Sequence, residues 1–321
     1  MVPRRAQLAK LMMVLWVVMG ACSGKPASIT QQSHGSHSKP ELTEFDGQRA
    51  WEHVRRLVEM GPRPVGSEAH RRSRDYIIEQ LKKLKIQVEK DEFVGQTPRG
   101  PWAMTNIIGK LPGRTEDVIV MAGHYDTKVF SDFQFVGAND GGSSTGAVLE
   151  MARVLAGQSE KARPQVWFVF FDGEEAAIDW TATDSKYGSR HLAQKWQKEG
   201  VLNRIRALIL LDMIGDKNLD IKRDAYSTRS LSDALWQAAA QLGYSDYFLS
   251  GTTFIDDDHV PFLQAGVPAV DIIDFNYGML NHYWHSEADT LDKLSPASLK
   301  IVGDVVLHAL PSIEMAAARV R

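Results

Sequence analysis

The stretch Val166–Trp180, VWFVFFDGEEAAIDW, carries the reading of the fold. Val166 to Phe171 is an unbroken apolar and aromatic run, the pattern of a strand buried on both faces of a largely parallel sheet. Asp172-Gly173 stops it. In open α/β sheets ligands sit beyond the carboxyl ends of the strands, so Glu174 and Glu175 emerge where a site is expected. Adjacent side chains in an irregular turn point in different directions, so one carboxylate can bind a metal while its neighbour handles a proton. A solvated acidic turn is the common fate of an isolated Glu-Glu pair, and the polar residues elsewhere in the chain decide against it.

On either side of this strand the chain alternates between strand-like and helix-like segments. Asp46–Met60 has apolar residues at helical spacing, and Ser67 is placed to cap a second helix reaching Leu84. Ile86–Phe93, Met104–Gly109, Val118–Ala122, Ala207–Leu211 and Val267–Ile273 read as further strands. Gly146–Ala156, Tyr187–Trp196, Leu231–Leu242, Asp258–Gln264 and Leu299–Ile313 read as helices. This order predicts an α/β fold: a three-layer sandwich with a central mixed, mostly parallel sheet flanked by helices. No repeat and no domain boundary interrupts residues 41–321.

At 321 residues and a net charge of −3, the chain is long enough for one large α/β domain and carries no basic excess that would suit a nucleic acid. Its single cysteine, Cys22, excludes an intrachain disulfide. Arg4, Arg5 and Lys10 precede the apolar run Leu11–Met19, and Gly20-Ala21 leads into Cys22, the layout of an export signal. The run is short for a bilayer span. Met19-Gly20-Ala21-Cys22 resembles a bacterial lipobox, which implies a lipoprotein-type signal over residues 1–21 and lipidation of Cys22. Residues 22–40, rich in Ser, Gln, His and Lys, read as a flexible tether. The expectation is an exported protein of a bacterial cell envelope or periplasm, touching the membrane only through the anchor, with a catalytic domain over 41–321.

Four polar motifs fall at or just after a predicted strand end or helix start. They are His124-Tyr125-Asp126, Gly137-Ala138-Asn139-Asp140-Gly141-Gly142, Asp212 at the end of Leu208–Leu211, and His285 in the loop Asn281–Asp289. Each alone has an ordinary explanation as a capped loop or surface residue. Together with Glu174 and Glu175 they gather imidazole nitrogen and carboxylate oxygen at one rim, the ligand set of a catalytic zinc with an open position.

The order H-x-D, D-G-G, G-E-E, L-D-M and a late W-H is similar to the zinc aminopeptidases that carry two co-catalytic metals, over residues 44–316. Within that clan the chain more specifically resembles the glutaminyl-peptide cyclotransferases, or glutaminyl cyclases, of the animal-like type. The residues that carry this are Asp172-Gly173-Glu174-Glu175-Ala176 with Trp180, and Asp184-Ser185-Lys186-Tyr187-Gly188-Ser189-Arg190-His191-Leu192-Ala193. Asp257-Asp258-His259-Val260-Pro261-Phe262-Leu263, Gly266-Val267-Pro268 and Trp284-His285 complete it.

The resemblance implies one zinc per chain held by Asp140, Glu175 and His285. It also implies Glu174 as general acid/base, with Asp212 and Asp257 in a carboxylate network behind it. Trp180 and Trp284 would wall the substrate pocket, with Lys128 and Ile255 near it. The implied reaction closes an N-terminal glutamine into pyroglutamate and releases ammonia, so the partners expected are peptides or proteins with N-terminal Gln, acted on by a monomer. In the two-zinc aminopeptidase alternative, His124 and Asp212 become ligands of a second metal. Gly123 stands where the animal enzymes carry a cysteine, so their disulfide is absent here, and the loop Asn276–Tyr283 also differs from theirs.

Overall fold

The computed structural model describes residues 44–158 and 164–318. The export signal, Cys22 and the tether expected at the N-terminus lie outside the described residues. In chain order the helices and strands are α1 (Gly47–Glu59), α2 (Glu68–Lys83), β1 (Gln87–Thr97), β2 (Gly100–Leu111), β3 (Val118–His124), α3 (Gly142–Gly157) and β4 (Gln165–Phe171). They continue with α4 (Tyr187–Lys198), β5 (Ile205–Asp212), β6 (Ile221–Asp224), α5 (Arg229–Leu242), β7 (Phe248–Thr253), α6 (Val260–Gln264), β8 (Ala269–Ile273) and α7 (Pro296–Ala318).

Among the described residues the main sheet has six strands in the order β1-β2-β4-β3-β5-β8. β4 pairs antiparallel with β2, Val169 opposite Ile108, and parallel with β3, Val169 opposite Ala122. β3–β5 and β5–β8 are parallel, so the sheet is mixed with a parallel half. Alternate residues of β4 serve different layers. Val166, Phe168 and Phe170 enter the large core that includes Val54 of α1, Ile77 of α2, Val148 of α3, Leu235 of α5 and Val305 of α7. Trp167, Val169 and Phe171 enter the smaller core with Leu192 and Trp196 of α4 and Phe262 of α6. That is the three-layer sandwich, and it explains why β4 shows no polar alternation: both of its faces are dry.

The elements differ from the expectation mainly where polar residues are buried. α3 starts at Gly142 rather than Gly146, because Ser143, Ser144 and Thr145 are fully buried in its first turn. Ser143 Oγ donates to Asn139 O at 2.5 Å and Thr145 Oγ1 to His124 O at 2.8 Å, ties that apolar periodicity does not register. β1 and β2 run longer than Ile86–Phe93 and Met104–Gly109, since the two pair along their whole length from Gln87↔Lys110 to Thr97↔Gly100. β6 and β7, absent from the sequence reading, form a separate two-stranded parallel sheet. α7 extends the expected Leu299–Ile313 at both ends. Gly123 leaves no room for a side chain, since a Cβ there would come within 2.7 Å of Ser144 Cβ.

Phe168 is fully buried in β4. Phe168→Ala is expected to cost about 3–5 kcal/mol, the usual range for deleting a buried ring and leaving a cavity, read from chemical denaturation.

Candidate active site

The turn after β4 is held by carboxylates that accept backbone N–H groups. Asp172 is fully buried and accepts from Thr105 N at 2.6 Å and the Tyr125 hydroxyl at 2.9 Å, while its other oxygen lies 2.8 Å from His70 Nε2. Gly173 turns the chain with φ +66°, and a Cβ there would lie 2.7 Å from Met104 Sδ, so conformation and space both require glycine. Asp126 accepts from Glu174 N at 3.1 Å through one oxygen and from Glu175 N at 3.3 Å through the other. Asp184 then accepts from Ala177, Ile178 and Asp179 N at 2.8, 2.9 and 3.1 Å. These contacts orient both glutamates and the loop that bears Trp180.

The other motifs converge on the same rim, at the carboxyl ends of β3, β4 and β5. Asp140 is presented by the loop before α3, where Asp289 accepts from Asn139 N at 2.8 Å and Asp140 N at 3.1 Å. His285 Nε2 lies 3.3 Å from Asp140 Oδ2 and 3.2 Å from Glu175 Oε2. His124 Nε2 lies 3.2 Å from Asp140 Oδ1 and 3.3 Å from Asp212 Oδ1. Asp140 thus belongs to two groups, Asp140–Glu175–His285 and His124–Asp140–Asp212, in each of which the ligand atoms lie within 4.8 Å of one another.

The first group fits a zinc ion. Glu175 Oε1 is buried without a hydrogen-bond partner among the described residues, and Oε2 meets only His285 Nε2 at 3.2 Å, a costly state for a carboxylate that a cation would relieve. One imidazole with two carboxylates, facing an open cavity, is a ligand set that leaves a position free.

Charge balance within the site shifts its titrating groups. Burial raises Glu174 well above the ordinary carboxyl range, and the charges of Asp257 and Glu175 add to this against the pull of His124. Burial and the Asp212 charge push Asp257 up to about 6, and burial also raises Asp212 despite its contact with His124. Burial opposes protonation of His285, yet Glu175 and Asp140 outweigh it and push the imidazole up to about 10. Burial likewise would raise Asp140, but its bonds to His124 and His285 hold it below the usual range.

A cavity of about 350 Å³ opens onto these groups, a volume suited to a small ligand. Asp140, Glu174, Glu175, Asp212, Asp257 and His285 lie at its polar end, and Trp180, Ile255 and Trp284 are in its walls. Trp284 stacks on His285 with ring centroids 4.1 Å apart. Lys128 is not part of the lining; its ammonium donates to Ala176 O at 3.1 Å. His124 sits behind the lining, against Asp140 and Asp212.

The sequence reading missed Phe254, Asp256 and Phe275, which also line the cavity. They sit in irregular loops, where neither period nor strand end marks a residue. It also missed Arg63, fully buried, whose guanidinium donates to the carbonyls of Tyr125, Val136 and Gly137 and ties the loop after β3 to the loop before Asp140. Its one signal was its place in the helix-breaking run Gly61-Pro62-Arg63-Pro64.

An α/β sheet with histidine and carboxylates at its parallel strand ends defines the class, and the model of peptidase family M28 matches residues 106–310. A glutaminyl-peptide cyclotransferase of Drosophila melanogaster is 31% identical over 83% of this chain and 82% of its own length. The crystal structure of a glutaminyl cyclase from an Acidobacteriales bacterium superposes with a TM-score of 0.83 at 43% identity, covering 87% of this chain and 98% of that one. That of the Porphyromonas gingivalis glutaminyl cyclase gives 0.75 at 29% identity, covering 84% and 98%. The chain belongs to the glutaminyl-peptide cyclotransferase group of peptidase family M28.

Asp257 binds its proton more tightly in the fold, at about 6, than at the ordinary 3.8, so its contribution to stability is full below the lower value and is lost as pH rises through the upper one. Asp257→Asn removes that loss. The thermal midpoint of the variant relative to the parent is expected to rise between about pH 4 and pH 7 and then level off. A difference that stays flat or falls over this range would contradict the assignment.

Proposed function

We propose that the chain is a zinc-dependent glutaminyl-peptide cyclotransferase, converting an N-terminal glutamine into pyroglutamate and releasing ammonia. The observation that carries this is the meeting, at one cavity, of Glu174, a buried carboxyl whose proton affinity is raised, with Asp140, Glu175 and His285, whose ligand atoms face one another. The named relatives support the choice of reaction.

In this reading Asp140, Glu175 and His285 hold one zinc per chain. When bound, the metal supplies a Lewis acid that polarises the γ-carboxamide carbonyl. The substrate's α-amine forms the new C–N bond to the γ-carbon, the bond from that carbon to the amide nitrogen breaks, and ammonia leaves without consumption of water. A free α-amino group has a pKa of about 8 and is mostly protonated at neutral pH, so it needs a base beside it. Glu174 accepts the amine proton and returns it to the departing nitrogen, a task for which a carboxyl with raised proton affinity is suited. Burial and the Asp212 charge raise the proton affinity of Asp257, and in this reading a proton held there orients the amine or tunes Glu174. Trp180, Ile255 and Trp284 hold the glutaminyl chain folded, and for an intramolecular attack orientation is a large part of the available rate gain.

The second group, His124–Asp140–Asp212, favours one rival, a two-metal aminopeptidase in which Glu174 activates water. The proposal also includes export by residues 1–21, acylation of Cys22, a tether over 22–40, a monomeric state and residence in a bacterial envelope. The supporting signal is the basic, apolar, small-residue order that ends at Cys22. No helix among the described residues is long and apolar enough to cross a membrane.

Glu174→Gln is expected to lower turnover by about a hundredfold to ten-thousandfold with zinc retained, whereas Glu175→Gln loses zinc and activity together, as metal analysis beside rates will show. Separate incubation with Gln-Ala and Leu-Ala decides the reaction. Ammonia from Gln-Ala with its peptide bond intact, Leu-Ala untouched and about one zinc per chain is the expected result. Free leucine with about two zincs would establish the aminopeptidase instead.

A further inference from the structure

Lys186 occupies the open position of the string D-S-x-Y-G-S-R-H-L-A, and the mechanism above makes no use of it. Its side chain is nearly fully buried, and it adopts a left-handed conformation, φ +51°, that non-glycine residues seldom take. Its backbone N–H donates to Glu174 O at 2.7 Å, which fixes it to the catalytic turn. A buried ammonium needs a partner, and here the partner is the half-exposed carboxylate of Asp256, with which Lys186 forms an ion pair. The same carboxylate oxygen accepts from Trp180 Nε1 at 3.3 Å, and the Lys186 ammonium stands 5.1 Å from the centre of the Trp180 ring. Trp180 and Asp256 line the cavity and Lys186 does not, so the ammonium supports the indole from outside the substrate space.

We propose that Lys186 and Asp256 are positioning residues that clamp Trp180 as a pocket wall and thereby set KM for the glutaminyl substrate; this rests on the cyclotransferase reading. Trp180 sits in a loop and is partly exposed, without core packing on all sides to choose its rotamer. The clamp supplies that choice through a hydrogen bond from the indole to Asp256 and a cation–π contact with Lys186, and the Lys186–Asp256 ion pair closes the triangle. It also joins the loop after β4 to the loop after β7, two cavity walls that no strand pairing connects. Neither residue touches the reacting atoms, so its loss acts on binding more than on the chemical step.

The test uses the full chain with zinc and the variants Lys186→Met, Asp256→Asn and Lys186→Arg. With Gln-Ala, Lys186→Met and Asp256→Asn should each raise KM about fivefold with kcat within about twofold of the parent, and Lys186→Arg should restore KM. The double variant Lys186→Met/Asp256→Asn should show less than the product of the single effects, since both act through one ring. Acrylamide quenching of Trp180 emission, isolated by subtracting a Trp180→Phe variant, should rise about twofold in Lys186→Met. An unchanged KM with unchanged quenching overturns the clamp, as does an equal fall in kcat and thermal midpoint without rescue by arginine. If Lys186→Met does not fold, Asp256→Asn, altered at a half-exposed side chain, decides by the same readouts. A parent that releases no ammonia from Gln-Ala overturns the cyclotransferase reading alone, and the quenching result then still decides whether the clamp exists.

Discussion

Two imidazoles, His124 and His285, stand among the buried carboxylates of Asp140, Glu174, Glu175, Asp212 and Asp257. This imbalance governs the site. Like charges this close and this buried cannot all be ionised without compensation, so the carboxyls tend either to take up protons or to face a cation. The two tendencies divide along the cavity. Asp140 and Glu175 face His285 and form the group suited to a metal, whereas Glu174, Asp212 and Asp257 are pushed toward the protonated form. Groups suited to proton transfer and groups suited to a metal therefore arise from one surplus of negative charge, separated by which side chain each carboxyl faces.

Such a surplus survives folding only if each carboxylate is held where it is. A second set of acids does this. Asp126 takes the N–H groups of Glu174 and Glu175, Asp289 those of Asn139 and Asp140, and Asp184 those of three residues next to Trp180. Each satisfies backbone donors that an irregular turn would leave orphaned, and each sets the direction of the functional side chain that follows. Arg63 completes the frame from below, with its guanidinium on three carbonyls. The walls are built with less packing and more charge: Trp180 by Lys186 and Asp256, Trp284 by stacking on His285.

Much of this was legible in the chain. The run Val166–Phe171 announced a strand dry on both faces, and the hydrophobic cores on its two sides account for it residue by residue. His124, Asp140, Glu174, Glu175, Asp212 and His285 stood beside strand ends or helix starts and come together at one rim. The polar first turn of α3 was not legible, since its serines and threonine are buried by hydrogen bonds rather than by apolar contact. Nor were β6 and β7, short strands that depend on a partner distant in sequence. Phe254, Asp256 and Phe275 reach the cavity from loops, where no period predicts direction.

The sequence by itself determined the sandwich, the strand ends at which chemistry is possible and the residue types available there, because apolar periodicity and turn residues are local properties of the chain. Only the tertiary structure decided which carboxyl meets which imidazole, that Asp140 serves both groups, and that Lys186 lies under Trp180 rather than in water. Those outcomes depend on distances between residues far apart in the chain, and a distance of 3 or 5 Å between side chains is set by packing, which no local pattern encodes.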